Sequence, residues 1–184
     1  MSNGNPIEQV IPPLNESDRI QGSVDATFIL MEYGDYQCPQ SEQAQALIKI
    51  LQQQLGKQFC FIYRHFPQNK RSLRAAESAE AAGDQDRFWQ MHNLLFEHQK
   101  QLEDYHLVKY ANDLGLEMSC FLQDMSQHVH LAKINCDLES GRVNGVEKTP
   151  TFFIGVKHHG TENLETIVSA ILDINSNQNN VLKK

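Results

Sequence analysis

The sequence predicts an α/β fold in which a β-α-β half and a β-β-α half flank an all-helical insertion. Three observations predict it. Two short apolar runs, "ATFILMEY" and "QFCFIYRHF", lie on either side of a segment with helical spacing. From Arg71 to about Val143 only helical patterns occur, and "TPTFFIGVKHHG" then restores strand character ahead of the amphipathic "LETIVSAILDI". At 184 residues the chain suits one domain carrying such an insertion, with enough length to bury a real core.

Each element follows from its own pattern. Residues 1–21 form a polar lead-in with Pro12 and Pro13, ordering as it approaches the first strand. Ala26 to Tyr33 is apolar and bounded by Gly22 and Gly34, which suits a buried central strand. Ala44, Leu47, Ile48, Leu51 and Leu55 recur at helical spacing, and Gly56 falls where a helix C-cap is expected. This helix begins at or near Cys38. A crossover through one helix makes the flanking strands parallel neighbours, which closes a first half over 22–70.

The insertion spans 71–143. "RSLRAAESAEAAGD" is a helix stopping at Gly83, and Asp84 is placed to cap "QDRFWQMHNLLFEHQ", with Phe88, Met91 and Leu95 facing inward. Two or three further helices run through "YHLVKYANDLGL", "SCFLQDM" and "VHLAKINCDLESGRV". The second half, 144–176, opens with Thr149 and Pro150, turns across Gly155 and ends in a helix. A polar tail, 177–184, follows.

Composition excludes several function classes. Hydrophobic content of 40% with 21% charged residues is ordinary for a soluble globular protein. A net charge of -7 and the lack of any basic run argue against nucleic acid as a partner. The N-terminal stretch has no basic start followed by an apolar run, and no later run approaches membrane-spanning length. A cytoplasmic protein with no membrane partner is the expectation.

Of the four cysteines, Cys38, Cys60, Cys120 and Cys136, no two stand at the spacing of a zinc ribbon. Cys60 reads as a buried strand residue, and Cys120 and Cys136 lie in helical patterns. The eight histidines include "HVH" and "HH" pairs, but residues two apart on a helix diverge and adjacent residues on a strand face opposite sides, so no metal site is expected. His65 reads as a packing or strand-end residue. Phe88, Trp89 and Phe96 form insertion core or line a groove, which the pattern leaves open.

Three local motifs remain: "EYGDYQCP", "YRHFP" with the helical "RAAESAEAAG" after it, and "GVEKTPTFFI". On these the chain resembles the DsbA-like branch of the thioredoxin superfamily from about Asp18 to its final helix. The resemblance implies a thioredoxin fold with an all-helical insertion. It makes Cys38 the nucleophile, Glu32 a buried acid that exchanges protons with the site, and Pro150 a cis-proline facing the thiol. It further implies that the Thr149 backbone pairs with an extended substrate segment like an added strand. The departure is Ser41, which stands where the family's second cysteine usually does.

Chemistry can be argued for these residues directly. A thiol at a helix N-terminus lies among unpaired N–H groups and the positive end of the helix dipole, both of which favour the thiolate. Ser41, one turn on, can donate its hydroxyl to the sulfur but cannot attack a disulfide. Glu32, Asp35 and Glu42 oppose the thiolate; Lys148 could counter them from the rim, or attract an anionic thiol. Pro39 and Gln40, between Cys38 and Ser41, join Lys148, Thr149 and Pro150 as candidate substrate-binding residues.

Without a second thiol, a mixed disulfide on Cys38 waits for an outside thiol. The leading expectation is therefore a monothiol thiol-disulfide oxidoreductase needing no cofactor, with protein or glutathione as substrate and glutathione as possible co-substrate. A glutathione-dependent transferase is a variant of it. The alternatives are a redox-inactive module that binds a peptide or partner, and an iron–sulfur carrier on the pattern of monothiol glutaredoxins.

Overall fold

Two apolar runs set the centre of the sheet, because each is short enough for a strand and too apolar to face water. They are β2 (Phe28–Gly34) and β3 (Phe59–His65), paired in parallel through the crossover helix α1 (Pro39–Leu55). Gly56, at φ 51°, ends α1 in a conformation that costs a residue without Cβ little, and a 3₁₀ turn (Gly56–Gln58) leads into β3. β4 (Thr151–Ile154) pairs antiparallel to β2, and β5 (Val156–His159) antiparallel to β4. The structure, a computed structural model, describes residues 11–154 and 156–159 and positions 166, 168, 169 and 172.

A fifth strand, β1 (Arg19–Gln21), pairs antiparallel to the outer edge of β3, giving the order β1-β3-β2-β4-β5. It lies inside the stretch expected to be lead-in. "RIQ" has no apolar run to announce it; the pairing is held by side chains instead. Arg64, buried on β3, donates to both carboxylate oxygens of Asp18 at 2.7 and 2.8 Å and to the Pro13 carbonyl at 2.7 Å. Arg19 is ion-paired with buried Glu80 of the insertion.

The insertion comprises α2 (Lys70–Gly83), α3 (Phe88–Glu97), α4 (Asp104–Asp113), α5 (Met118–Gln127) and α6 (Leu131–Val143). Asn69 and Ser72 form a reciprocal capping box at the start of α2, and its alanine-rich faces are buried against neighbouring helices on several sides. Asp84 does not cap α3 as expected. It is instead the C-cap of α2, and α3 begins only at Phe88, after Asp86 turns through φ 59°. The expected final helix falls mostly outside the described residues; Thr166, Val168, Ser169 and Leu172 are helical, and Val168 is buried in the main core. The polar tail and the turn at Gly155 also lie outside them. No helix among the described residues is long and apolar enough to cross a membrane.

Alternation along β2 decides which residues meet. Met31 and Tyr33 face one side, where Phe153, Phe66 and Val146 cover them and Gly141 of α6 comes close. Leu30 and Glu32 face the other, beneath α1 and the aromatic residues of the insertion. Phe88 and Phe96 are buried there with Tyr36, Tyr63 and His92, so these rings are core. Gly34 ends β2 against this layer: a Cβ at that position would lie 2.5 Å from the Tyr63 ring and 2.8 Å from Glu32 Oε1. Tyr63 is fully buried and has nowhere to move. We expect Gly34→Ala to destabilise the fold by about 2 kcal/mol or more, read as a lower denaturant midpoint at unchanged m; an unchanged midpoint would show that the layer is loosely packed.

Candidate active site

The site is built on the turn that carries the chain from β2 into α1. Asp35 winds that turn: its Oδ1 accepts from Gln37 N–H at 2.7 Å, its carbonyl from Cys38 N–H at 3.0 Å, and its Oδ2 from Gln68 N–H at 2.8 Å. Burial raises the Asp35 pKa, and the Gln37 and Gln68 N–H groups pull part of the way back. Cys38 is left as the N-cap of α1, with extended dihedrals (φ −82°, ψ 117°) and no side-chain cap on the helix. Pro39 follows as the first helical residue, where its missing N–H costs nothing. The first N–H groups of α1 are therefore left without a side-chain capping oxygen.

Cys38 is half-buried, and its thiol donates to the Thr149 carbonyl at 3.2 Å. The Thr149–Pro150 peptide bond is cis, and both residues are buried. Gln99, from the segment between α3 and α4, donates to the Cys38 carbonyl at 2.9 Å. The insertion thus reaches the thiol's own backbone. Beside it, Pro39 and Glu42 form one wall of a cleft of about 350 Å³, with Glu97, Gln99 and Lys100 opposite.

Glu32 sits beneath this turn, opposite Tyr63 on one side and Phe152 on the other. It is wholly buried. Burial pushes its pKa from 4.5 up to about 8, while the Gln45 amide and the Ser41 hydroxyl favour the charged form. Gln45 Nε2 donates to Oε2 at 3.3 Å, whereas Oε1 has no hydrogen-bond partner, so Ser41 acts as a nearby dipole and not through a formed bond. Among the described residues no cation is ion-paired with Glu32.

The other sequence-chosen residues separate into two groups. Ser41 is fully buried, and its hydroxyl accepts from Asp35 N–H at 3.5 Å. The expected hydrogen bond to the Cys38 sulfur is not formed, because the hydroxyl faces inward to Asp35 and Glu32 while the sulfur faces Thr149. Pro39 and Gln40 are exposed beside Cys38. Lys148 is exposed too, and its hydrogen bond here is through its carbonyl, which accepts from Thr151 Oγ1 at 2.6 Å. Asp35, Gln45, Gln68 and Gln99 belong to the site without being singled out by the sequence pattern. Only Asp35, three residues before Cys38, lay close enough in sequence to suggest itself.

The remaining cysteines and histidines are placed elsewhere. Cys60 is buried on β3, and Cys120 and Cys136 are exposed on α5 and α6; all four thiols are free. His65 is buried and donates to Glu80 at 2.8 Å. Burial alone would raise the Glu80 pKa, but His65, Lys133 and Arg19 more than offset it and hold this carboxyl well below the usual range. The "HVH" histidines lie in the turn between α5 and α6 rather than on a helix, and they part there: His128 meets Glu77 at 2.7 Å and His130 meets Asp84 at 3.5 Å. Among the described residues, Asp84, Asp124 and His130 alone bring three potential metal-ligand atoms within 4.8 Å of one another, on elements that do not frame Cys38.

The thioredoxin family profile matches residues 14–173. Among curated relatives, a protein named Na(+)/H(+) antiporter NhaA 1 from Salinispora arenicola is 34% identical over 169 residues, covering 90% of this chain and 26% of the relative. One of the same name from Mycobacterium sp. (strain KMS) is 35% identical over 162 residues, covering 85% of this chain and 26% of the relative. The chain spans about a quarter of the length of the curated relatives it matches. Among solved structures, alpha-DsbA1 from Wolbachia pipientis superposes with a TM-score of 0.75 at 22% identity, covering 94% of this chain and 96% of that one. A thioredoxin-like oxidoreductase from Silicibacter pomeroyi DSS-3 gives 0.75 at 22% identity over 85% and 93% of the two chains. BdbD from Bacillus subtilis gives 0.70 at 20% identity, again over 85% and 93%. The chain belongs to the thioredoxin family and has the DsbA-like form of its fold, with the helical insertion between the two halves.

Proposed function

We propose that the protein is a thiol-disulfide oxidoreductase of monothiol type, acting through Cys38. The observation that carries this reading is the thiol held at an uncapped helix N-terminus against the carbonyl of Thr149, with a buried serine one turn along. The Cys38 thiolate attacks one sulfur of a substrate disulfide; a new S–S bond forms to Cys38 and the other sulfur leaves as a thiolate. The neutral hydroxyl of Ser41 is too weak a nucleophile to displace a thiolate from a disulfide. An external thiol such as glutathione then attacks the substrate sulfur of the mixed disulfide, so that Cys38 leaves as a thiolate and the substrate is joined to that thiol; net reduction takes a second equivalent of thiol, the two ending as their own disulfide. Thr149 and Pro150 present backbone to an extended segment, Pro39 and Gln40 flank the sulfur, and Lys148 offers charge to an anionic thiol. Glu32 takes and returns the proton.

Mass spectrometry after treatment with glutathione disulfide tests the reading. We expect one glutathione per chain on Cys38, removed by reduced glutathione, absent in Cys38→Ser and retained in Cys120→Ser and Cys136→Ser. Adducts confined to the exposed Cys120 and Cys136, or none at all, would overturn it. In a second reading the domain binds a partner segment along the Thr149 edge and Cys38 does not turn over. That second outcome is what an unreactive Cys38 would favour.

A further inference from the structure

We propose that His92, on the helical insertion, is a positioning residue for the buried acid Glu32, acting through the side-chain amide of Gln45. The proposal deepens the reading of Cys38 and Glu32 as one site and rests on it. Four side chains form a continuous line. Gln45 Nε2 meets Glu32 Oε2 at 3.3 Å, His92 Nε2 meets Gln45 Oε1 at 3.3 Å, and Tyr36 Oη meets His92 Nδ1 at 3.0 Å. All four residues are at most 8% exposed, so bulk water does not compete for these bonds.

The donors in this line can be assigned from valence alone. An ionised Glu32 only accepts, so Gln45 must present its NH₂ to it and its carbonyl oxygen to His92. His92 must then carry its proton on Nε2, which leaves Nδ1 bare to accept the Tyr36 hydroxyl. Burial holds the His92 pKa well below its ordinary value, helped by His65 and Lys49, so the ring is neutral and has one donor and one acceptor to give. Every bond in the line then points at the carboxylate. A protonated Glu32 that donates from Oε2 requires the reverse polarity, with the amide turned over and the ring in its other tautomer.

The surroundings make this line matter. Around Glu32 stand Ser41 and Gln45 from α1, Tyr63 from β3 and Tyr36 from the β2–α1 turn, all neutral; His65 of β3 and Lys49 of α1 act on His92. With no cation among the described residues paired to the acid, its ionised form depends on neutral donors. Among those residues Gln45 makes the one formed bond to it, and His92 is what fixes the orientation of that amide. The Gln45 and His92 side chains also border a small cleft between α1 and α3, so the far side of the line, away from Cys38, approaches the surface.

The test is a direct titration of the Glu32 carboxyl by carbon NMR with labelled glutamate, in wild type, Gln45→Leu, His92→Phe and Tyr36→Phe. Gln45→Leu is expected to raise the titration midpoint by about 1 pH unit. His92→Phe keeps the ring volume, loses both nitrogens and is expected to raise it by about 0.5 pH unit. Tyr36→Phe removes only the hydroxyl that sets the tautomer and serves if His92→Phe does not fold; a smaller rise is expected. An unmoved midpoint in both ring variants, with Gln45→Leu still shifted, would overturn the role of the insertion. The wild-type glutathione adduct separates the two readings: its absence from Cys38 defeats the proposed function and leaves the carboxyl shift standing, whereas an adduct without a shift defeats only this proposal.

Discussion

Ser41→Cys is expected to convert a site that waits for an outside thiol into one that resolves its own mixed disulfides. Residues three apart at a helix N-terminus lie on consecutive turns, within the reach a disulfide requires. Ser41 is buried beneath Asp35 with its hydroxyl turned inward, so a sulfur there begins in a protected position and needs one side-chain rotation to face Cys38. Once a substrate is bound to Cys38, the second thiol attacks intramolecularly, at an effective concentration on the order of 10² times or more that of millimolar glutathione. The lifetime of the Cys38 mixed disulfide should therefore fall by about two orders of magnitude, and oxidised protein should accumulate with an internal disulfide that the natural sequence cannot form. Trapping with a model disulfide, followed by mass spectrometry over time, reads both. A mixed disulfide of unchanged lifetime would show that position 41 cannot turn towards position 38, and that more than one atom separates this site from a dithiol one.

The parts of the site that were legible in the sequence are those fixed by local geometry. Cys38 before Pro39 reads as a helix start because proline suits the first helical position, and the structure makes Cys38 the N-cap. Glu32 as a buried acid and Pro150 as a cis-proline were legible through the resemblance to the DsbA-like branch, carried by the motifs "EYGDYQCP" and "GVEKTPTFFI". What could not be read depends on rotation and on distant partners. The direction of the Ser41 hydroxyl is set by a rotamer and by Asp35 N–H, neither of which a residue pattern encodes. Gln99 reaches the Cys38 carbonyl from 61 positions away, and His92 meets Gln45 from 47. β1 was missed for a related reason, since Arg19–Gln21 takes its order from β3 and from Glu80 rather than from its own composition. Asp84 shows the converse: a residue able to cap the following helix was taken by the end of the preceding one.

Glu32→Gln is expected to stabilise the protein, and to do so increasingly as pH rises above the ordinary carboxylate value, where unfolding releases a proton that the folded chain retains. Burial raises the Glu32 pKa from 4.5 to about 8, so the folded state holds this proton more tightly than the unfolded chain does. Stability from this group is thus fully present below about pH 4.5 and is lost as pH rises towards the folded value. At about 1.4 kcal/mol per pH unit, the loss reaches on the order of 5 kcal/mol above pH 8. Glutamine carries no charge to desolvate. Its amide brings one new demand, an acceptor for its NH₂, which a turned Gln45 carbonyl can meet; any shortfall is about 1 kcal/mol and independent of pH. The difference in unfolding free energy between variant and wild type should therefore be small at pH 4, grow steadily to pH 8 and level off beyond it. Urea unfolding across that range measures it, and all other titrating groups cancel in the comparison. A difference that does not vary with pH would mean that Glu32 titrates in the folded protein as it does in water, and the acid would then have no claim to proton exchange with Cys38.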